Sequence, residues 1–162
     1  MSLIVMKFGG TSVANVDKII NVANIVENEL KNNKLIVVLS AMAGVTNQMQ
    51  SYINQIKSDH HIENDLILTS GENVTIGILS AILKKRNLKS IALLGWQIPI
   101  ITDDNFQKAK ILKIDKNRIE SFFKENDIIV LAGFQGVNVK GHITSLGRGG
   151  SDTTAVAIAS AV

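Results

Sequence analysis

Leu3-Ile4-Val5-Met6-Lys7-Phe8-Gly9-Gly10-Thr11-Ser12 opens the chain with an apolar run of strand length that stops at two glycines. Val16, Ile19, Ile20, Ala23 and Leu30 then recur at helical spacing, so the reading is strand, glycine turn, helix. Leu35 to Leu39 is a second continuous aliphatic run, followed by the polar, glycine-containing stretch Ser40 to Asn47. Val74 to Leu83 is apolar nearly all round, with Ser70-Gly71 before it and Lys84-Lys85-Arg86 at its end, which predicts a buried helix. Ser90 to Leu94 and Asp127 to Ala132 repeat the buried-strand pattern, and Lys116 to Glu125 between them reads as an amphipathic helix. Trp96 to Lys110, which holds the only proline, Pro99, reads as irregular, and Val137 to Ser145 as a hairpin. Alternating strands and helices predict an α/β fold. Its form should be a three-layer sandwich whose mainly parallel sheet is covered on both faces, with ligands gathering beyond the carboxyl ends of the strands.

Composition narrows the function classes. A chain of 162 residues is the size of one domain, and 46% hydrophobic with 19% charged residues excludes a disordered or fibrous chain. The net charge is only +3 and the basic residues are scattered, so nucleic acid is not an expected partner. There is no cysteine, which removes disulfides, iron–sulfur clusters and thiolate zinc sites and suits a reducing, cytoplasmic setting. Met1 to Phe8 is too short for a secretory signal, and no apolar run approaches the roughly 18 residues of a membrane span. No membrane partner is expected.

Four loops can carry chemistry. In Lys7-Phe8-Gly9-Gly10-Thr11-Ser12 the missing glycine side chains let backbone N–H groups approach an anion, Lys7 adds a charge, and Thr11 and Ser12 offer hydroxyls or a helix cap. The same turn can equally be a plain strand-to-helix connection. It is neither a Walker loop nor a Gly-x-Gly-x-x-Gly fingerprint, because no Gly-Lys pair and no such glycine spacing occurs. Ser40 to Asn47 places Ser40 and Thr46 beside Gly44. In Ser70-Gly71-Glu72 the carboxylate of Glu72 either stabilises a helix N-terminus or stands in a cleft beside an apolar segment. Leu146-Gly147-Arg148-Gly149-Gly150-Ser151-Asp152-Thr153-Thr154 surrounds one arginine with three glycines, the arrangement that lets a carboxylate or phosphate reach guanidinium and backbone together. His60 and His61 sit between Ser58-Asp59 and Glu63-Asn64 and read as a solvated turn, so no protein-bound metal is assigned.

These loops, with Ala132-Gly133-Phe134-Gln135-Gly136, occur in the order that resembles the aspartokinases of the amino-acid kinase superfamily. The resemblance runs from residue 3 to Val162 and implies transfer of the γ-phosphoryl group of ATP to the β-carboxylate of L-aspartate, the first step toward lysine, threonine and methionine. It implies ATP as co-substrate with Mg2+ carried on it, and a homo-oligomer. By the same resemblance Lys7 contacts the transferring phosphate, surrounded by Phe8, Gly9, Gly10, Thr11 and Ser12. Asp152 orients Lys7. Ser40, Thr46, Glu72, Phe134, Arg148, Gly149 and Ser151 line the amino-acid pocket, with Glu72 suited to the ammonium and Arg148 to the α-carboxylate.

In that family the segments that hold the nucleoside of ATP, and the regulatory ACT domains, come after the helix beginning at Ser151, whereas this sequence ends at Val162. Residues 1–162 are therefore expected to be the N-terminal portion of a kinase domain. Ala155 to Val162 carries no charge and no stop signal, so the terminal helix is expected to leave an apolar face that drives self-association. The alternative is a silent subunit that binds aspartate and lacks the nucleotide half.

Overall fold

Each residue from Leu35 to Leu39 and from Ile128 to Ala132 is fully buried, which a strand achieves only when both faces of its sheet are covered. The computed structural model describes residues 2–162, so Met1 lies outside the described residues. In chain order the elements are β1 (Ser2–Phe8), α1 (Val16–Leu30), β2 (Asn33–Leu39), α2 (Val45–Ile56), α3 (His61–Leu68), α4 (Ser70–Lys85) and β3 (Ser90–Leu93). There follow β4 (Ile100–Thr102), β5 (Ile111–Ile114), α5 (Lys116–Phe122), β6 (Ile128–Ala132), β7 (Gln135–Asn138), β8 (Ile143–Ser145) and α6 (Gly150–Ala161).

The larger sheet runs β1-β2-β6-β3 with every pairing parallel. Side chains alternate across it. Leu35, Val37, Leu39, Ile128, Val130 and Ala132 face Ile19, Val22 and Val26 of α1 and Ile76, Leu79 and Leu83 of α4. Ile36, Val38, Ile129 and Leu131 face Ile119 of α5 and Ile158 of α6. Helices on both sides of a parallel sheet make the three-layer α/β sandwich expected from the sequence.

A second sheet, β5-β4-β7-β8, was not expected. Its β4–β7 pairing is parallel and its other two are antiparallel. The 137–145 hairpin is present as β7 and β8, starting two residues early. Trp96 to Lys110, read as irregular, contains β4, and β5 follows unread. Both strands have four residues or fewer, too short for alternation to register. The helices α2 and α3 were also missed. Only Ile53 is buried in α2, so little of its sequence reports a core face. Asn15, not Thr11 or Ser12, caps α1 by accepting from the Lys18 N–H at 2.9 Å. The last helix begins at Gly150 rather than Ser151, and α5 stops at Phe122 rather than Glu125.

Together α3 and α4 form a helical run, His61–Lys85, of 25 residues that is long and apolar enough to cross a membrane by length and composition. Half of its most apolar window is buried inside the protein. That is the composition of a core helix, reached here by two helices meeting at Thr69.

Truncating Ile36→Ala, at the centre of the sandwich, should cost about 2–5 kcal/mol. Gly77→Ala, at an exposed position in α4 with nothing within 4 Å of the added carbon, should instead add about 0.5–1 kcal/mol. Urea unfolding of the two variants beside the parent chain measures both signs.

Candidate active site

The carboxyl ends of β1, β2 and β6 lie side by side, because Phe8 pairs with Leu39 and Leu39 with Ala132. The loops leaving them are stitched by backbone hydrogen bonds. The Ser40 N–H donates to the Phe8 carbonyl, the Ala43 N–H to Gly10 and the Gly133 N–H to Leu39. Between these loops and the amino ends of α2, α4 and α6 lies a cavity of about 490 Å³.

Lys7, Gly10, Ser40, Thr46, Glu72, Phe134, Arg148, Gly149, Ser151 and Asp152 all line this cavity, as the sequence reading grouped them. Phe8, Gly9, Thr11 and Ser12 do not. The Phe8 side chain turns into the core instead, the Gly9 carbonyl accepts the Ser12 N–H to close the turn, and Thr11 is exposed. Gly10 thus lines the cavity, and Gly9 lies beside the Lys7 ammonium, where an added carbon would stand 3.4 Å from Nζ. Lys7 Nζ lies 2.9 Å from Asp152 Oδ1, with Asp152 well exposed on the first turn of α6. Arg148 is exposed at the rim and forms no hydrogen bond or ion pair among the described residues.

Two helices aim uncapped amino ends at the space. Gly44 and Gly149 are the N-caps of α2 and α6, with φ of 84° and 70°, and neither offers a side chain to the first turn. A left-handed cap of this kind is open to glycine without strain. Among the described residues the N–H groups of Thr46, Asn47, Ser151 and Asp152 find no acceptor. With the helix dipole behind them, such groups attract an anion.

Against these positive groups stands one buried carboxylate. Glu72 is 2% exposed, its Oε1 accepts the Ala41 N–H at 3.1 Å, and its Oε2 has no partner. Burial pushes the Glu72 carboxyl up to about 7, with the N–H groups of Glu72 and Ala41 opposing the rise. A buried acceptor without a donor costs free energy unless a ligand supplies one. The position is braced by Thr75, whose hydroxyl donates to the Ser40 carbonyl at 2.9 Å. Among the described residues no group of three or more His, Asp or Glu side chains could hold a metal ion. His60 and His61 are exposed at the start of α3.

Several residues of the site escaped the sequence reading. Gln107 and Ser145 line the cavity and both donate to Asp65, a fully buried carboxylate of α3. An acid immediately before the apolar run Leu66-Ile67-Leu68 was the available signal for Asp65. Nothing local marks Gln107, which adopts φ of 65° in the 103–110 loop.

The amino acid kinase family matches residues 2–162. An aspartokinase of Rickettsia felis is 47% identical over 167 aligned residues, covering all of this chain and 42% of that protein. An aspartate kinase of Pseudomonas putida is 47% identical over 165, covering 40% of its length. The chain thus spans about two fifths of the curated relatives it matches. Among solved structures, an aspartate kinase from Synechocystis superposes with a TM-score of 0.80 at 39% identity, over 97% of this chain and 26% of that one.

Glu72 makes the stability of the fold depend on pH. Its ordinary value is 4.5 and its folded value about 7, so between these the folded state holds more proton than the unfolded state and stability falls as pH rises. Glu72 should contribute up to about 3 kcal/mol of that decline by pH 8, and Glu72→Gln should lack this contribution. Urea titrations of both proteins at pH 5 and pH 8 give the comparison.

Proposed function

The chain belongs to the amino acid kinase family, and on that premise we propose that its cleft binds L-aspartate and the γ-phosphate of ATP for transfer of the phosphoryl group to the β-carboxylate. The observation that carries the reading is the charge pattern of the cavity: Lys7, Arg148 and two uncapped helix ends surround one buried carboxylate with an unpartnered oxygen. Aspartate has the complementary pattern. Its ammonium supplies the donors that Glu72 Oε2 lacks and returns that carboxyl to its ionised form. Its α-carboxylate suits the fork of Arg148, an always-charged group with no competing partner. Its β-carboxylate is then directed toward Lys7.

In the proposed reaction a β-carboxylate oxygen bonds to the γ-phosphorus as the bond to the β,γ-bridging oxygen breaks, leaving aspartyl phosphate and ADP. The carboxylate is already ionised at neutral pH, so no general base is needed. Positioning and charge neutralisation are what remain for the protein to supply. In this reading Lys7 neutralises the equatorial oxygens, and the free N–H groups of Ser151 and Asp152 receive them. Asp152 holds Lys7 Nζ at 2.9 Å, which keeps the ammonium over the turn at Gly9, whose added carbon would lie 3.4 Å from it. Mg2+ would arrive on the ATP phosphates, whose charge it partly offsets. A cytoplasmic setting and self-association belong to the same reading. The α6 face expected to stay open is mostly covered, because Ile158 is buried and Ala155 and Val162 pack against the sheet, leaving Val156 exposed.

Titration calorimetry with aspartate tests the binding half, and no heat above buffer would overturn the reading. Arg148→Lys should weaken aspartate by about 1.5 to 3 kcal/mol, because a point charge replaces a planar fork. Lys7→Ala should act on the other half. Trapping of aspartyl phosphate with hydroxylamine, in the presence of aspartate, ATP and Mg2+, should fall by about a hundredfold or more while aspartate affinity is nearly unchanged.

A further inference from the structure

Arg148 lies exposed in the loop between β8 and α6, yet the proposed site requires its guanidinium at one place. The residues before it explain how. The Ser145 N–H donates to Asp65 Oδ2 at 2.7 Å and the Ser145 hydroxyl to Asp65 Oδ1 at 2.9 Å. The Gln107 N–H donates to the same Oδ2 at 3.1 Å. Asp65 itself does not line the cleft and is fully buried. Its carboxylate therefore joins three segments distant in sequence: α3, the 103–110 loop and the end of β8.

The joint continues into the arginine loop. The Ala109 N–H donates to the Ser145 carbonyl and the Leu146 N–H to the Phe134 carbonyl, while the Gly150 N–H donates to Gly147 across the turn that contains Arg148. A side-chain carbon at Gly147 would stand 3.1 Å from the Gln107 carbonyl oxygen, so the loop rests directly on the segment that Asp65 holds. Each of these bonds limits where residues 147–149 can lie. Burial raises the pKa of Asp65, opposed by the bonds from Ser145 and Gln107 and by the nearby charge of His61. A carboxylate kept dry in this way is costly unless its bonds are made, which marks a built joint rather than a solvated acid.

We infer that Asp65 is the positioning residue of the proposed substrate cleft, fixing through Ser145 and Gln107 the loop that presents Arg148 to the α-carboxylate. The inference rests on the reading above for its ligand, and on the hydrogen bonds alone for the joint. It gives a specific pattern, because β-alanine carries the ammonium and the β-carboxylate of aspartate and lacks the α-carboxylate. Loss of the joint should then damage recognition of aspartate and spare β-alanine.

The experiment titrates both amino acids, followed by NMR chemical shifts, into the parent chain, Asp65→Ala, Asp65→Asn and Ser145→Ala, and measures amide hydrogen exchange of the same four proteins. Asp65→Ala should weaken aspartate by roughly tenfold or more, with β-alanine changed less than about twofold, and should speed exchange at Ser145 and Gln107. Asp65→Asn should stay within about threefold of the parent, since its remaining oxygen accepts both N–H groups and its amide can donate to the Ser145 hydroxyl oxygen. Ser145→Ala removes one bond of three and should cost about threefold. Equal losses for both amino acids, unchanged affinity and exchange in Asp65→Ala, or an Asn variant as damaged as the Ala variant would overturn the inference. Should Asp65→Ala not fold, Ser145→Ala with parental affinity and parental exchange would overturn it instead. Should the parent chain bind no aspartate, the functional reading falls, and exchange alone decides the joint.

Discussion

Leu35 to Leu39 and Ile128 to Ala132 run parallel, in register and out of contact with water. Everything functional follows from where these two strands stop. Burial on both faces leaves no freedom to slip, because a shift of one residue would exchange the α1/α4 side chains for those facing α5 and α6. Parallel strands in fixed register end at a common level, and the loops beyond them must share the same space. Ser40 and Phe134 are brought to one cavity in this way, although 94 positions separate them in the chain.

The cavity is an electrostatic object before it is a shape. Two glycine-capped helix ends, Lys7 and Arg148 make it attractive to anions, and a cavity with only those features would accept phosphate or any carboxylate. Glu72 changes the selection. Its buried, half-partnered carboxyl disfavours a simple anion when ionised and favours a ligand that carries an ammonium group as well. An acidic amino acid satisfies both demands where inorganic phosphate satisfies one.

Rigidity is supplied from the second sheet. It packs beside the carboxyl end of β6, which passes through Gly133 and Phe134 straight into β7. Phe134 sits at φ of 70° with its N–H donating to the Thr154 hydroxyl, so the bend between the sheets is tied to α6. Gln135 extends the tie, donating to the Thr69 carbonyl and the Asn73 side chain and accepting from the Gly95 N–H. With Asp65 below the arginine loop, the site is held by buried polar bonds on the side away from the large sheet. Such bonds lose most when one member is removed, since its partners are left dry and unpaired.

The long elements and most of the site were legible in the chain itself. Continuous aliphatic runs at 35–39 and 128–132 state burial on both faces, and the 3.6-residue spacing after Gly10 states a helix. The three glycines around Arg148 favour an anion-binding reading, whereas the turn at Lys7 reads equally well as a plain strand-to-helix connection. Short strands such as β4 and β5 left no such trace, having too few residues to show a period, and α2 shows almost no buried face. Four positions of the first glycine turn were grouped with the site on resemblance, although sequence proximity to Lys7 does not decide which way Phe8, Gly9, Thr11 and Ser12 point. The local sequence determined the type of chemistry, since charge and backbone permissiveness belong to single residues. Which oxygen of Glu72 lacks a donor, and that Asp65 holds a loop 80 positions away, were decided only by tertiary structure, because desolvation and hydrogen-bond partnership are properties of what the folded chain brings near.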